Sequence, residues 1–293
     1  MEIVENSFAD LYAELRRRLL SQGELVSPKG EDTLELTNVS LVLTNPMSRL
    51  GYHPDRHFSL PFACAESTML FDSTNAVRYL AYFNKRLMNF SDDGIILHGM
   101  YGHRIAQNIS EIVNKLKKDP SSRQAVLQIY SASDLKVATK DTPCTIALQF
   151  LIRKGKLDLY TTMRSNDLYW GLPYDLFQFT MLQEIISNEL DVDLGSYVHR
   201  ATSMHVYTKR HEKMLSVVET LDPKEFTVTQ RVKDMMDLAD IIKYLRYIDD
   251  ISILEKHSDI GFIVQQFEMK KRHIERKSLP SFMQWAAPFL EEM

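Results

Sequence analysis

The stretch Met163-Arg164-Ser165-Asn166-Asp167-Leu168-Tyr169-Trp170-Gly171-Leu172-Pro173-Tyr174-Asp175 joins two patterned segments. Residues 157–163 before it read as a strand. After it, residues 176–190 carry Leu176, Phe179, Leu182, Ile186 and Leu190 on one helical stripe. A strand end that feeds a helix start is suited to holding an anion, through arginine, serine and backbone amides. The same composition also suits a solvent loop in which Asp175 caps the helix.

On the N-terminal side, residues 145–152 pair with 157–163 around Arg153-Lys154-Gly155-Lys156, a plausible hairpin turn. Residues 125–130 form another candidate strand. Further back, Phe8, Leu11, Tyr12, Leu15 and Leu19 predict a helix over 7–21. Residues 33–43 alternate, but the phase changes near Asn38, which predicts a bulge or tight bend. Helices are predicted near 61–71, 76–90 and 103–118, the last ended by Asp119-Pro120 because proline disfavours a helical residue before it. On the C-terminal side, residues 196–207 read as a strand. From 208 onward the pattern is mostly helical, with Leu238, Ile241, Ile242 and Leu245 as one face. No repeat, low-complexity stretch or linker divides residues 1–293, so one domain is expected. Strands and helices mix without βαβ alternation, which predicts an α+β fold.

The 293 residues, 44% apolar and 25% charged, suffice for a substantial core and exclude disorder as the main state. A formal charge of −4 argues against a chain-wide basic surface for nucleic acid, though not against a local anion pocket. No apolar run approaches about 18 residues, so no membrane span is expected. Met1-Glu2-Ile3-Val4-Glu5 lacks the start of a signal peptide. Cys64 and Cys144 are too few for a disulfide framework, and a cytoplasmic, reduced protein is expected.

Several familiar sites are absent. The ten glycines form no nucleotide-cradling loop. His199, His205 and His211 share no helix face, and Pro54 separates His53 from His57, so no metal site is expected. Lys270-Lys271-Arg272-His273, offset by Glu268 and Glu275, reads as a solvated helix face. Cys144 follows Pro143 and opens an apolar strand. It is a buried small hydrophobe unless cationic groups converge on it and hold a thiolate. Arg123 and Arg164, at the edges of neighbouring strands, are the candidates. Cys64 has no such company and reads as structural.

Four motifs in order and at matching spacing give the chain a resemblance to the thymidylate synthase superfamily. They are Asp119-Pro120-Ser121-Ser122-Arg123, Thr142-Pro143-Cys144, Arg164-Ser165-Asn166-Asp167 through Gly171-Leu172-Pro173, and His205-Val206-Tyr207. The strong part covers about residues 99–211, with Glu66 and Tyr101-Gly102 as further anchors; about 215–293 reads as a helical C-terminal extension without a match. The resemblance implies a mixed sheet flanked by helices, and a homodimer formed through the sheet. It implies that Cys144 adds to C6 of a pyrimidine nucleoside monophosphate and that C5 then attacks the one-carbon unit of 5,10-methylenetetrahydrofolate. Arg164 and Ser165 would hold the phosphate, with Arg123 from the partner subunit. His205 and Tyr207 would contact the sugar. Asp167 and Gly171 would lie near the pterin, Glu66 would manage protons through water, and Tyr101 would sit near the C5 proton.

Departures from the methylating branch carry information of their own. Asp175 stands where those enzymes have asparagine. A carboxylate accepts from the 4-amino group of cytosine and pairs with a protonated N3, so the chain resembles the deoxycytidylate hydroxymethylases. Thr145 after the cysteine, where methylases more often have histidine, fits the same branch. The only tryptophans are Trp170 and Trp285, and segment 85–100 has Phe90. A less shielded one-carbon intermediate favours capture by water, giving a 5-hydroxymethyl product; the competing reading is that Phe90 or Trp170 fills the tryptophan's space. Gln124 replaces a second arginine after Arg123, and Ser27-Pro28-Lys29-Gly30 offers the phosphate only Lys29, a point charge. The expected activity is therefore C5 hydroxymethylation of a cytosine nucleotide, dCMP slightly before CMP. The alternatives are a methylase of thymidylate synthase type and a non-catalytic nucleotide-binding paralogue.

Overall fold

A twenty-residue helix, apolar on nearly every side, lies at the centre of the molecule. It is buried from Leu172 to Ser187 apart from Tyr174, and its neighbours explain why. The computed structural model describes residues 1–51, 58–210 and 259–273, together with 286, 289 and 290. In chain order the elements are β1 (Glu2–Glu5), α1 (Phe8–Gln22), β2 (Glu24–Val26), β3 (Thr33–Leu43), α2 (Leu60–Met69) and α3 (Val77–Ala81). They continue with α4 (Tyr101–Ile105), α5 (Ile109–Lys118), β4 (Val126–Gln128), β5 (Thr145–Arg153), β6 (Lys156–Asp167), α6 (Gly171–Leu190), β7 (Asp193–Tyr207) and α7 (Asp259–Lys271).

Among the described residues, seven strands form one mixed sheet in the order β1-β3-β7-β6-β5-β4, with β2 pairing β3. β1 and β3 are parallel, as are β6 and β7; the other pairs are antiparallel. Helices α1, α5 and α6 cover the sheet through Leu11, Leu15, Ile112, Leu176 and Phe179. A second apolar cluster joins α2, α3 and α7 to α6 through Phe62, Leu80, Phe177 and Val264. The candidate site opens between these two clusters, so α6 serves both as core and as site wall. This is the α+β arrangement that the pattern predicts.

Asn38 adopts a left-handed conformation at φ 54°. The β3–β7 pairing keeps its register across it, from Thr37 with Ser203 to Val39 with Ala201. A tight bend, not a bulge, therefore turns Leu34 and Leu36 toward the same core as Val39 and Leu41. The hairpin between β5 and β6 turns on Lys154 and Gly155, both at positive φ (53° and 75°).

Four expectations need correction. Residues 76–90 are not one helix, because Asn84 caps a new turn with its side chain on the Arg86 amide. Residues 103–118 break between α4 and α5. β6 runs on to Asp167, so Arg164–Asp167 are strand residues and not a loop. α6 starts at Gly171, which places Asp175 inside the helix and rules out the capping reading. The helical face at Leu238–Leu245, the C-terminal extension up to 258, and Trp285 lie outside the described residues. The basic run ends α7 and is exposed, with Arg272 paired to Glu268 at 3.2 Å.

Candidate active site

Cys144 sits just before β5, where the backbone is irregular. The β5–β6 register slips between Thr145 and Ala147, and the amides of Ile129 and Tyr130 both donate to the Ile146 carbonyl. Such a bulge re-aims neighbouring side chains. Arg164, on β6, stitches this segment down: its amide donates to the Cys144 carbonyl at 2.9 Å. Its guanidinium donates to the carbonyls of Pro143 and Thr142, both at 2.9 Å, and to Cys144 Sγ at 3.6 Å.

The thiol lines a cavity of about 170 Å³ together with Glu66, Tyr101, Asp141, Asp175 and Gln178. Four residues predicted from distant parts of the sequence thus meet in one place. A second cavity of about 440 Å³ shares Glu66 and Asp175 with the first. Its walls include Phe62, Trp170 and Tyr174, with Phe90 half exposed at 50% and Arg86 stacked on the Trp170 ring at 5.1 Å. Phe90 and Trp170 both line this space.

Burial dominates the electrostatics. It pushes the Cys144 thiol up to about 11; Arg164 opposes this, while Asp175, Asp141 and Asp167 add to it. Of the two arginines expected near the thiol, only Arg164 is there. Arg123 is exposed ahead of β4, and the thiol is protonated at neutral pH. Asp175 is raised to about 7 by burial, against the donors Asn166 and Gln178. Those amides reach its two oxygens at 2.7 and 3.1 Å. Glu66 is raised to about 8 by burial and then by Asp175, and its Oε2 is buried without a hydrogen-bond partner. Tyr101 stacks on Phe179 with ring centroids 5.8 Å apart, and burial followed by Asp175 and Cys144 raises its hydroxyl.

The remaining predicted residues flank this centre. Asp167 accepts from the Trp170 amide at 2.6 Å at the entry to α6, and its Oδ1 is buried without a partner. His205, its register partner on β7, meets Tyr207 edge-on at 5.4 Å. Tyr207 is raised by burial, then by Asp167 and Cys144, so it shares the field of the thiol. Ser165 lies between Arg164 and Asn166 on β6, half buried. Lys29 is exposed on a turn next to the end of β7, where the Thr208 amide donates to the Asp32 carbonyl. Neither Lys29 nor Arg123 lines a described cavity.

Gly171 has a role that the sequence did not show. A Cβ there would stand 2.8 Å from Asn166 Nδ2 and 3.4 Å from Asp175 Oδ2. Gly171 therefore leaves room for the hydrogen bond that holds Asp175. Asn166, Gln178 and Asp141 were also missed as site residues. Gln178 follows Asp175 by three residues on a helix, a spacing that puts both on one face.

A thymidylate synthase family model matches residues 77–259, more than half of the chain. This chain belongs to the thymidylate synthase family. It is 31% identical over 253 residues to the deoxyuridylate hydroxymethyltransferase of Bacillus phage SP01, covering 78% of this chain and 66% of that protein. It is 33% identical over 191 residues to the deoxyuridylate hydroxymethyltransferase of Pseudomonas phage M6, covering 62% and 53%. The thymidylate synthase of Bacillus atrophaeus is 30% identical over 183 residues, covering 57% and 76%. The chain thus spans 66% and 53% of the length of the two phage relatives.

The geometry around Cys144 and Glu66 makes two outcomes testable. Arg164→Lys replaces a planar fork by a point charge that cannot serve two carbonyls and the sulfur together. Alkylation of Cys144 at pH 8 is expected to slow, because among the described residues the guanidinium is the group that lowers its thiol. An unchanged alkylation rate would show that Arg164 does not act on the sulfur. Glu66 gives a pH signature. Its folded pKa is raised from 4.5 to about 8, so the stability of the neutral form is full below 4.5 and is lost as pH rises to 8. Glu66→Gln, neutral at every pH, should melt above the wild type at pH 9, with the gap shrinking toward pH 6. Equal gaps at both values would place the ionisation elsewhere.

Proposed function

We propose that this chain transfers a one-carbon unit from 5,10-methylenetetrahydrofolate to C5 of a cytosine nucleotide, with capture by water to give the 5-hydroxymethyl product. The observation that carries the reading is a carboxyl group, Asp175, facing the same cavity as Cys144. The folate supplies a carbon at the oxidation level of formaldehyde. The larger cavity suits a flat heteroaromatic ring, with Trp170 and Phe90 as walls and Arg86 for an anionic tail.

Cys144 attacks C6 once its thiol proton has left, and the electron density gained at C5 makes that carbon the nucleophile. Arg164, Ser165 and Lys29 bind the phosphate, with Arg123 reaching the other subunit of a homodimer. Its exposure supports that role. His205 and Tyr207 hold the sugar, Asp167 and Gly171 border the pterin, Tyr101 stands by the C5 proton, and Glu66 relays protons through water. Ser165 gives dCMP a slight preference over CMP. The protein works in the cytoplasm.

A second reading has its own support. Two relatives are named deoxyuridylate hydroxymethyltransferases. An aspartic acid that keeps its proton accepts from N3–H of uracil and donates to O4, and burial raises Asp175 to about 7. Incubation with methylenetetrahydrofolate and, separately, dCMP, CMP, dUMP and UMP decides, with product masses as the readout. A methyl gain with dihydrofolate release would sink hydroxymethylation. A hydroxymethyl gain on uracil alone would replace cytosine by uracil.

A further inference from the structure

Beyond the Asn166 amide that holds Asp175 runs a line of buried polar groups that are lining residues of neither cavity. Tyr197 and His199 stand two residues apart on β7, both fully buried. The Tyr197 hydroxyl is 2.9 Å from His199 Nδ1, and His199 Nε2 is 3.0 Å from Asn166 Oδ1. Asn166 Nδ2 is 2.7 Å from Asp175 Oδ2.

With Asp175 ionised, the direction of every bond follows from the carboxylate end. An ionised Asp175 only accepts, so Asn166 must present its NH2 to it. The Asn166 carbonyl then faces His199, whose Nε2 must carry the hydrogen. Nδ1 is left with a lone pair, and it accepts from the Tyr197 O–H. Burial holds the His199 imidazole down to about 3, so it stays neutral and carries a single ring hydrogen, on Nε2 while Asp175 is ionised. Gly171 keeps the space that the Asn166 amide needs.

We propose that Tyr197 and His199 are positioning residues that lock the Asn166 amide against Asp175 and thereby set which pyrimidine base Asp175 accepts. The inference rests on Asp175 being the base-reading group. Either base forms two hydrogen bonds with the carboxyl only if one proton is shared between them. With cytosine that proton can sit on N3, leaving a carboxylate that accepts from N3–H and from the 4-amino group. Uracil O4 is far less basic, so the proton must stay on Asp175. A locked NH2 donor favours the carboxylate and hence cytosine. If the amide turned, its carbonyl would face Asp175, favour the neutral acid and admit uracil. The other ionisable groups facing Asp175 are Glu66 from α2, Tyr101 from α4, Cys144 ahead of β5 and Asp167 on β6. They are the same in every variant compared below.

The test is calorimetric titration of dCMP and dUMP into the wild type and into Tyr197→Phe, His199→Leu, His199→Gln and Asp175→Asn. Tyr197→Phe and His199→Leu are expected to lower the dCMP-to-dUMP affinity ratio about tenfold, the scale of one hydrogen bond to a charged group. His199→Gln keeps a donor near the Nε2 position and should restore most of the ratio. Equal weakening toward both nucleotides, with the ratio unchanged, would mark the run as merely structural and overturn the proposal. Should His199→Leu fail to fold, Tyr197→Phe decides alone, since it removes one hydroxyl and leaves no large cavity. A ratio that moves in Asp175→Asn but not in the β7 variants overturns the relay only. A ratio that does not move in Asp175→Asn overturns the base-reading role itself.

Discussion

Cys144→Ala is expected to lower turnover at least about a thousandfold, because a nucleophile that forms the covalent intermediate has no substitute. The surroundings give no second candidate: Cys64 is buried in the α2 cluster, 1% exposed, and lines neither cavity. The fold should survive the change. Arg164 anchors the segment through the carbonyls of Thr142, Pro143 and Cys144, all backbone atoms that alanine retains. Nucleotide binding is therefore expected to persist while turnover is lost. The checks are product formation, nucleotide affinity, and the intact mass of acid-quenched wild type, which should show a Cys144 adduct that the variant lacks. Residual turnover near the wild-type rate would overturn covalent catalysis at this residue.

The raised thiol sharpens what that experiment probes. A protonated Cys144 in the nucleotide-free state means that attack on C6 includes loss of a proton. Arg164 favours the thiolate, whereas three acidic groups oppose it. Reactivity thus depends on what the bound nucleotide changes, through displaced water and a base that accepts the new charge.

Much of this was legible beforehand, for identifiable reasons. Leu176, Phe179, Leu182, Ile186 and Leu190 gave α6 because helical spacing survives in a helix buried on several sides. The hairpin at Lys154-Gly155 was legible because two left-handed residues are needed there and glycine supplies one cheaply. The break at Asn84 was hidden, since a side chain capping an amide two residues on leaves the apolar pattern unchanged. Cys144, Glu66, Tyr101 and Asp175 were found through motif order and resemblance. No local pattern joins residues 66, 101, 144 and 175, which only the tertiary fold brings together around one cavity. Asn166, Gln178, His199 and Tyr197 escaped because each is an ordinary buried polar residue alone. Their meaning lies in the chain of donors and acceptors that ends on Asp175.

That chain also decides what Asp175→Asn should do. The new side chain places an NH2 where one carboxylate oxygen accepted a hydrogen bond. At the Oδ2 position it would face the Asn166 NH2, whose carbonyl is already engaged with His199. At the Oδ1 position it meets the Gln178 amide, whose hydrogen bond among the described residues is to Asp175 and which can turn its carbonyl inward. The asparagine oxygen should therefore stay on the Asn166 side and its nitrogen on the Gln178 side. In that pose a carboxamide accepts from N3–H of uracil and donates to O4, the complement of what the carboxylate reads. The dCMP-to-dUMP ratio of kcat/KM is expected to fall about a hundredfold, since each base then leaves buried groups unpaired in the wrong site. Competition between the two nucleotides, followed by product mass, measures it. Joining Asp175→Asn with Gln178→Leu tests the pose: loss of the turned carbonyl should cost uracil most of that gain, and an unchanged ratio in the double variant would place the new amide the other way round.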